Sequence, residues 1–419
     1  MSELEKNALA YHQFPQAGKI ATQITKPTET EGDLALAYTP GVAVPVLKIA
    51  ENPDDAYLYT NKGNLVAVIT DGTAVLGLGN VGPLAGKPVM EGKAVLFKRF
   101  ANVDVFDISV ASPSAEAFIE TVTQIAPTFG GINLEDIRGP ECFGIEEALI
   151  EKLDIPVFHD DQHGTAIVVA AGILNALEIQ EKNLHDVRIV CLGAGAAGIA
   201  SMKLLIALGV PKAHILMVDR QGVIYDGRTD LSTYKAEFAH DTTARTLDDA
   251  MKDADVFIGV SGANLVTAAQ IASMAPKPIV FALSNPNPEI DPALARSVRD
   301  DLILATGRSD YPNQVNNVLC FPYIFRGALD VRARCINEAM KVAAVMGIRK
   351  LAKLPILDSV RRAYKRELAS GFGVDYILPT PLDPRLLEIV PALVAQAAID
   401  SGVARLPYPA HYPKVENGE

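Results

Sequence analysis

Two adjacent pairs of carboxylates pose the question of what this chain does: Glu135 and Asp136 in GGINLEDIRGPECF, and Asp160 and Asp161 in IPVFHDDQHGTA. Each pair stands at or just after an apolar segment, where a charge has to be solvated, paired or bound to a cation. Hard oxygen donors with no cysteine cluster beside them suit Mg²⁺ or Mn²⁺, ions that keep open positions for a chelating substrate. A helix cap or a solvated turn is the ordinary reading of either pair alone. Lys93, in VMEGKAVLFKRF, lies between apolar residues, and desolvation there lowers a lysine pKa toward the range of a general base. The plain alternative is a lysine snorkelling from a helix face. Tyr38, in LALAYTPGVA, precedes a Pro-Gly turn that fixes its phenol at a loop mouth, unless it is a core tyrosine with a satisfied hydroxyl.

Two glycine loops share one fingerprint, GLGNVG at Gly77 to Gly82 and GAGAAG at Gly193 to Gly198. The second follows the strand-like VRIVCL and opens a helical pattern. Gly193, Ala194, Gly195, Ala196, Ala197 and Gly198 thus have the context of a dinucleotide site, with pyrophosphate expected on the helix N-terminus. Asp219 ends the next strand, near the offset of an acid that bonds the adenosine ribose, and Arg220 comes directly after it. The first loop runs into Pro83 and LAGKP, which reads as a turn and not as the start of a long helix. It is either a Gly-rich wall beside a small-molecule site or a tight loop.

The elements that must position these groups have an α/β pattern. LVAVIT, AVLF and VDVFDISV, between Leu65 and Val110, read as short buried strands. From Ala166 a helical run, AIVVAAGILNALEI, precedes a strand-helix-strand unit, and further strands recur at ADVFIGVSG, PIVFALSN and LILATG. The expected architecture is an α/β catalytic domain over residues 1–158, then a Rossmann-type doubly wound dinucleotide-binding domain with a helical C-terminal tail over 159–419. The last residues, LPYPAHYPKVENGE, read as frayed.

With 38 Lys plus Arg against 50 Asp plus Glu, and a net charge of −12, the chain lacks the basic surface that nucleic acid requires. No stretch reads as a membrane span or a secretory signal, so a cytoplasmic protein is expected. The scattered Cys142, Cys191, Cys320 and Cys335 read as buried free thiols, without zinc spacing.

As an ordered set, YTPG with Tyr38, EGKAVLF with Lys93, NLED with Glu135 and Asp136, HDDQHGTA with Asp160 and Asp161, GAGAAG, ALSNP with Asn285 and GRSDYPNQVNN with Asn317 resembles the malic enzymes. The resemblance runs from about Phe14 to Gly402 and is strongest to the malic part of the bacterial NADP-dependent type. It implies oxidative decarboxylation of (S)-malate to pyruvate and CO₂, with reduction of NADP or NAD and a divalent metal on Glu135, Asp136 and Asp161. Lys93 would take the hydroxyl proton and contact substrate, Tyr38 would protonate C3 of enolpyruvate, and Asp160 would pair with Lys93. Asn285 and Asn317 would orient substrate or the nicotinamide, and GLGNVG would wall the substrate site.

Many larger members carry an arginine ahead of that loop, where this chain has Ala74, so Arg138 or Arg308 would have to hold a malate carboxylate. Asp219 favours NAD and Arg220 favours NADP; the resemblance tips the expectation to NADP. A homodimer or higher homo-oligomer is expected. Members of this type generally carry a C-terminal phosphotransacetylase-like domain, which the 419 residues do not contain, so the chain is either a short form or part of a longer one. The rivals are a malolactic enzyme that retains NAD and releases lactate, a metal-free hydroxy-acid or amino-acid dehydrogenase, and a nucleotide-sensing module without turnover.

Overall fold

Apolar β-branched runs bounded by turns become parallel strands because both of their faces must be covered, and here they form two sheets. The computed structural model describes residues 1–75, 77–364 and 368–415. The first sheet holds β1 (Leu65–Thr70), β2 (Asp104–Ser109), β3 (Gly131–Leu134) and β4 (Val157–His159), all parallel, in the order β2-β1-β3-β4. The second holds β5 (Ile189–Leu192), β6 (Ile215–Asp219), β7 (Gly222–Val223), β8 (Val256–Gly259), β9 (Ile279–Ala282) and β10 (Ile303–Thr306). Its order is β10-β9-β8-β5-β6-β7, parallel except for the short β7, as in a doubly wound nucleotide-binding sheet.

Between the sheets in sequence runs the helix Asp160–Gln180, whose middle turns, from Ala166 to Ile173, are buried without interruption. It packs on the helices Ala196–Ala207 and Glu338–Ala352, so its residues are apolar all round. The helical C-terminal part includes Phe321–Asp330 and Leu386–Asp400. The catalytic candidates lie where parallel strands release their chain: Glu135 comes directly after β3, Asp160 after β4, GAGAAG after β5, and Asp219 ends β6. No helix among the described residues is long and apolar enough to cross a membrane.

Three expectations are corrected. The segment from Pro83 is no turn but the start of a 19-residue helix, Pro83–Ala101. Proline is well suited to the first helical position, where its missing N–H would have had no intrahelical partner. AVLF lies inside this helix and is no strand, and its Ala94 and Phe97 face the core from successive turns. The tail is docked through Tyr408 and Tyr412: Tyr412 Oη donates to Asp330 (2.5 Å), Tyr408 Oη donates to the Pro413 carbonyl (2.6 Å), and both rings pack on the core. Residues 416–419 of the frayed-tail expectation lie outside the described residues.

Candidate active site and metal centre

The helix Pro83–Ala101 carries Lys93 on its buried face, so the ammonium enters the protein beneath the ends of β3 and β4. Its Nζ donates to Asp160 Oδ2 (2.6 Å) and lies 2.9 Å from Glu135 Oε1. The Phe321 ring closes the other side, with its centroid 4.3 Å away. All three charged side chains are at least nine-tenths buried. Burial pushes the Lys93 ammonium down, but Asp160 and then Glu135 outweigh it and hold the group above the ordinary lysine range. This reverses the expected lowering, because two carboxylates in contact stabilise the cation more than desolvation penalises it. Burial also raises the Glu135 and Asp160 carboxyls, against the opposing pull of Lys93.

Asp160 is held from three directions. Asn317 Nδ2 donates to its Oδ2 (2.5 Å), sharing that oxygen with Lys93. Gly164, one helical turn on, leaves no room beyond Oδ1: a Cβ there would stand 1.8 Å from it. That Oδ1 is buried without a hydrogen-bond partner among the described residues.

Glu135, Asp136 and Asp161 meet beside this pair, each offering an oxygen within 4.8 Å of the others. Asp136 stands in the left-handed backbone region (φ 55°), which Asp tolerates better than most residues, and its N–H donates to Asp161 Oδ2 (2.7 Å). Three convergent carboxylates repel one another unless a cation joins them, and an all-oxygen set fits a hard divalent ion such as Mg²⁺ or Mn²⁺. A cavity of about 570 Å³ opens onto the group, lined by Lys93, Glu135, Asp161 and Asn317 and also by Tyr11, His12 and Lys19. Lys19, a further cation at this opening, bonds through its N–H to Glu91 (2.9 Å) and through Nζ to the Pro88 carbonyl (2.8 Å).

Other expected site residues lie elsewhere. Tyr38 caps the short helix Glu31–Ala37, is 76% exposed and is not part of the cavity lining. Arg138 pairs with Glu141 (3.0 Å) and Arg308 with Asp310 (2.6 Å), both also away from that lining. Asn285 sits where the two halves approach: its carbonyl would lie 3.0 Å from a Cβ at Gly77, so the GLGNVG loop borders the loop after β9.

In the second sheet the three glycines of GAGAAG have distinct geometric reasons. Gly193 has φ 120° and a Cβ there would meet the Val260 carbonyl at 2.7 Å. At Gly195 a Cβ would meet nothing within 4 Å, leaving the backbone open to a ligand. At Gly198 a Cβ would stand 1.9 Å from the Gly193 carbonyl, so only glycine lets the helix close on the strand.

Behind the acid pairs lies a buried network that joins His159, Gln162 and His163 of HDDQHGTA to Glu146 and Lys341, two residues outside any of the motifs. Glu146, on the helix Glu141–Lys152, accepts from the His159 N–H (2.9 Å), Gln162 Nε2 (3.2 Å) and His163 Nε2 (2.8 Å). Lys341 reaches the far side of the His163 ring (3.1 Å to Nδ1). Burial pushes the Glu146 carboxyl up, but His163, with Lys341 and His159 behind it, prevails and holds it at about 2.

The same arrangement of chain is found in known proteins. The NADP-dependent malic enzyme of Halomonas elongata is 64% identical over 97% of this chain and 96% of its own length. The chain belongs to the malic enzyme family. The family model "Malic enzyme, N-terminal domain" matches residues 17–115 and "Malic enzyme, NAD binding domain" matches 162–361. The NADP-dependent malic enzyme of Escherichia coli is 57% identical over 97% of this chain but only 54% of its own length, so the chain spans about half of that relative. Among solved structures, a malic enzyme from Pyrococcus horikoshii superposes with a TM-score of 0.86 at 44% identity, covering 96% of this chain and 92% of the other. In this malic enzyme all four acids of the two pairs fall between the two family-model matches, on the turns that leave β3 and β4.

Proposed function

We propose that this malic enzyme converts (S)-malate to pyruvate and CO₂ with reduction of NADP in preference to NAD, using Mg²⁺ or Mn²⁺. The observation that carries the reading is that Lys93, paired with Asp160, also contacts Glu135, whose oxygens converge with those of Asp136 and Asp161, and that Lys93, Glu135 and Asp161 line one cavity. Glu135, Asp136 and Asp161 would hold the metal, which would supply Lewis-acid polarisation of the substrate oxygens. The glycine turn Gly193–Gly198 would take the cofactor's pyrophosphate, and the bound cofactor would supply the hydride acceptor.

Lys93 faces the cavity and takes the malate hydroxyl proton. Asp160, in direct contact with the Lys93 ammonium, would pair with it and tune its basicity. Asn317 fixes Asp160 and reaches the same cavity wall. Asn285, beside Gly77, would orient the nicotinamide end of the cleft. In this reading residues 1–158 supply Lys93, Glu135 and Asp136 to the substrate and metal site, and residues 159–419 carry the cofactor turn and supply Asp160, Asp161 and Asn317 to that same site.

Tyr38 would protonate C3 of enolpyruvate, and its exposure bears on assembly. Leu34, Leu36, Val44, Val46 and Leu47, close to it in sequence, are exposed as well, so this surface carries apolar side chains. A homodimer that covers this surface with a second copy would bring Tyr38 into the neighbouring copy's site. A cytoplasmic location accords with the acidic composition and the free thiols. Steady-state assays with malate, Mn²⁺ and either cofactor test the reading: NADPH and pyruvate are expected, with loss of turnover in EDTA. Lactate without free NAD(P)H would establish the malolactic alternative, and turnover insensitive to EDTA would remove the metal.

A further inference from the structure

The helix Asp160–Gln180 opens on the two acids themselves, and its start is weakly secured from within: His159, at its N-cap, makes no side-chain cap hydrogen bond. Three carboxylates converge in front of that first turn and repel one another, so it has to be held from behind. Glu146 does this with one carboxylate. Its Oε1 accepts the His159 N–H (2.9 Å), just before the acid pair, and its Oε2 accepts Gln162 Nε2 (3.2 Å) and His163 Nε2 (2.8 Å), just after it. Glu146 stands on Glu141–Lys152, the first helix after Glu135 and Asp136, so it joins the elements that carry both acid pairs.

The His163 ring also meets a cation. Lys341 Nζ, on the helix Glu338–Ala352, sits 3.1 Å from Nδ1 and 3.3 Å from Nε2. Burial pushes the Lys341 ammonium down, and Glu146 is the strongest influence opposing it. Carboxylate, imidazole and ammonium thus form one charge-balanced group. Neither Glu146 nor Lys341 lines the cavity, so whatever they do for the reaction they do through the acids.

We infer that Glu146 is a positioning residue for the reaction: by bracketing Asp160 and Asp161 it holds the metal oxygen of Asp161 and the Lys93 partner Asp160 in place, and Lys341 balances its charge across His163. The inference rests on the reading of Asp161 as a metal ligand and of Asp160 as the partner of the base.

The test is a double-mutant cycle on the full chain with Glu146→Gln, Lys341→Met and the two combined. Each variant is read by Mn²⁺ titration with electron paramagnetic resonance, by kcat for malate at saturating Mn²⁺ and by NADP affinity. Glu146→Gln should weaken Mn²⁺ at least tenfold and lower kcat at least tenfold even with the metal site filled, the range for losing a group that orients metal ligands, with NADP affinity within twofold. The carboxamide leaves Lys341 a cation without its counter-charge, so adding Lys341→Met should recover part of both losses, because removing both members of a buried pair destabilises less than removing one. A mere loss of folded protein would lower the number of Mn²⁺ sites and leave the affinity of the remaining ones unchanged; that result would make Glu146 structural and overturn the inference. Losses in the double variant equal to the product of the single losses would overturn it as well. A wild type that binds no Mn²⁺ would instead overturn the metal reading on which the inference stands.

Discussion

The Gly164 backbone lies so close over the Asp160 side chain that a single added methyl group would stand 1.8 Å from Asp160 Oδ1. The glycine of HDDQHGTA is thereby explained by what it leaves empty. In Gly164→Ala the carboxylate must swing, breaking its contacts with Lys93 and Asn317. We expect kcat to fall by about 10² or more, the range for losing an aligned acid–base group, with NADP affinity within twofold. Steady-state kinetics beside a cofactor titration measures this, and a wild-type kcat would show that the position of Asp160 is not critical.

Asp161→Asn should abolish tight Mn²⁺ binding, read directly by electron paramagnetic resonance of the free ion, while the separate glycine turn keeps NADP affinity. Unchanged Mn²⁺ binding would reject Glu135, Asp136 and Asp161 as the ligand set.

Tyr38→Phe and Lys93→Ala should each be nearly inactive for malate oxidation. If sites are completed across a homodimer, mixing the two after subunit exchange should recover about a quarter of wild-type activity, since half the dimers are mixed and each has one intact site. A mixture that stays inactive although exchange is demonstrated would place both residues in one copy's site.

Glu146 makes a prediction about acid. Its folded-state carboxyl is held at about 2, below the ordinary value, so its contribution to stability is complete above the unfolded-state value. That contribution is lost as pH falls from roughly 4.5 toward 2. Glu146→Gln should be less stable at neutral pH and show a flatter stability profile across that window in denaturant titrations. A profile parallel to wild type would mean the carboxylate is not ionised there.

What is legible in the sequence is local. GAGAAG, β5 and β6 are readable because turn, strand and helix are consecutive and each glycine answers to its own surroundings. The helix Pro83–Ala101 is easily mistaken for a turn because proline marks helix starts as well as turns, and only the residues downstream of it separate the two. Lys93 stands out by its apolar neighbours, but they suggest the wrong direction for its pKa. The sign depends on carboxylates 42 and 67 residues further along the chain meeting one ammonium. The bonding of Asp219 by Arg228 and Lys235 cannot be read at all, since both must fold back over a strand end. Gln162 and His163 stand in HDDQHGTA, but Glu146 and Lys341 belong to none of the motifs, and only packing brings the four together.

The hydrogen bond from the Asp136 N–H to Asp161 Oδ2 ties the turn after β3 to the first turn of the helix Asp160–Gln180. It works as a clasp between two segments whose side chains would otherwise push apart. An incoming ion therefore finds its oxygens already gathered, and little of its binding energy goes into drawing the segments together. Chelation should in turn relax one corner of the protein, around Asp136 and Asp161, and leave the sheets themselves undisturbed.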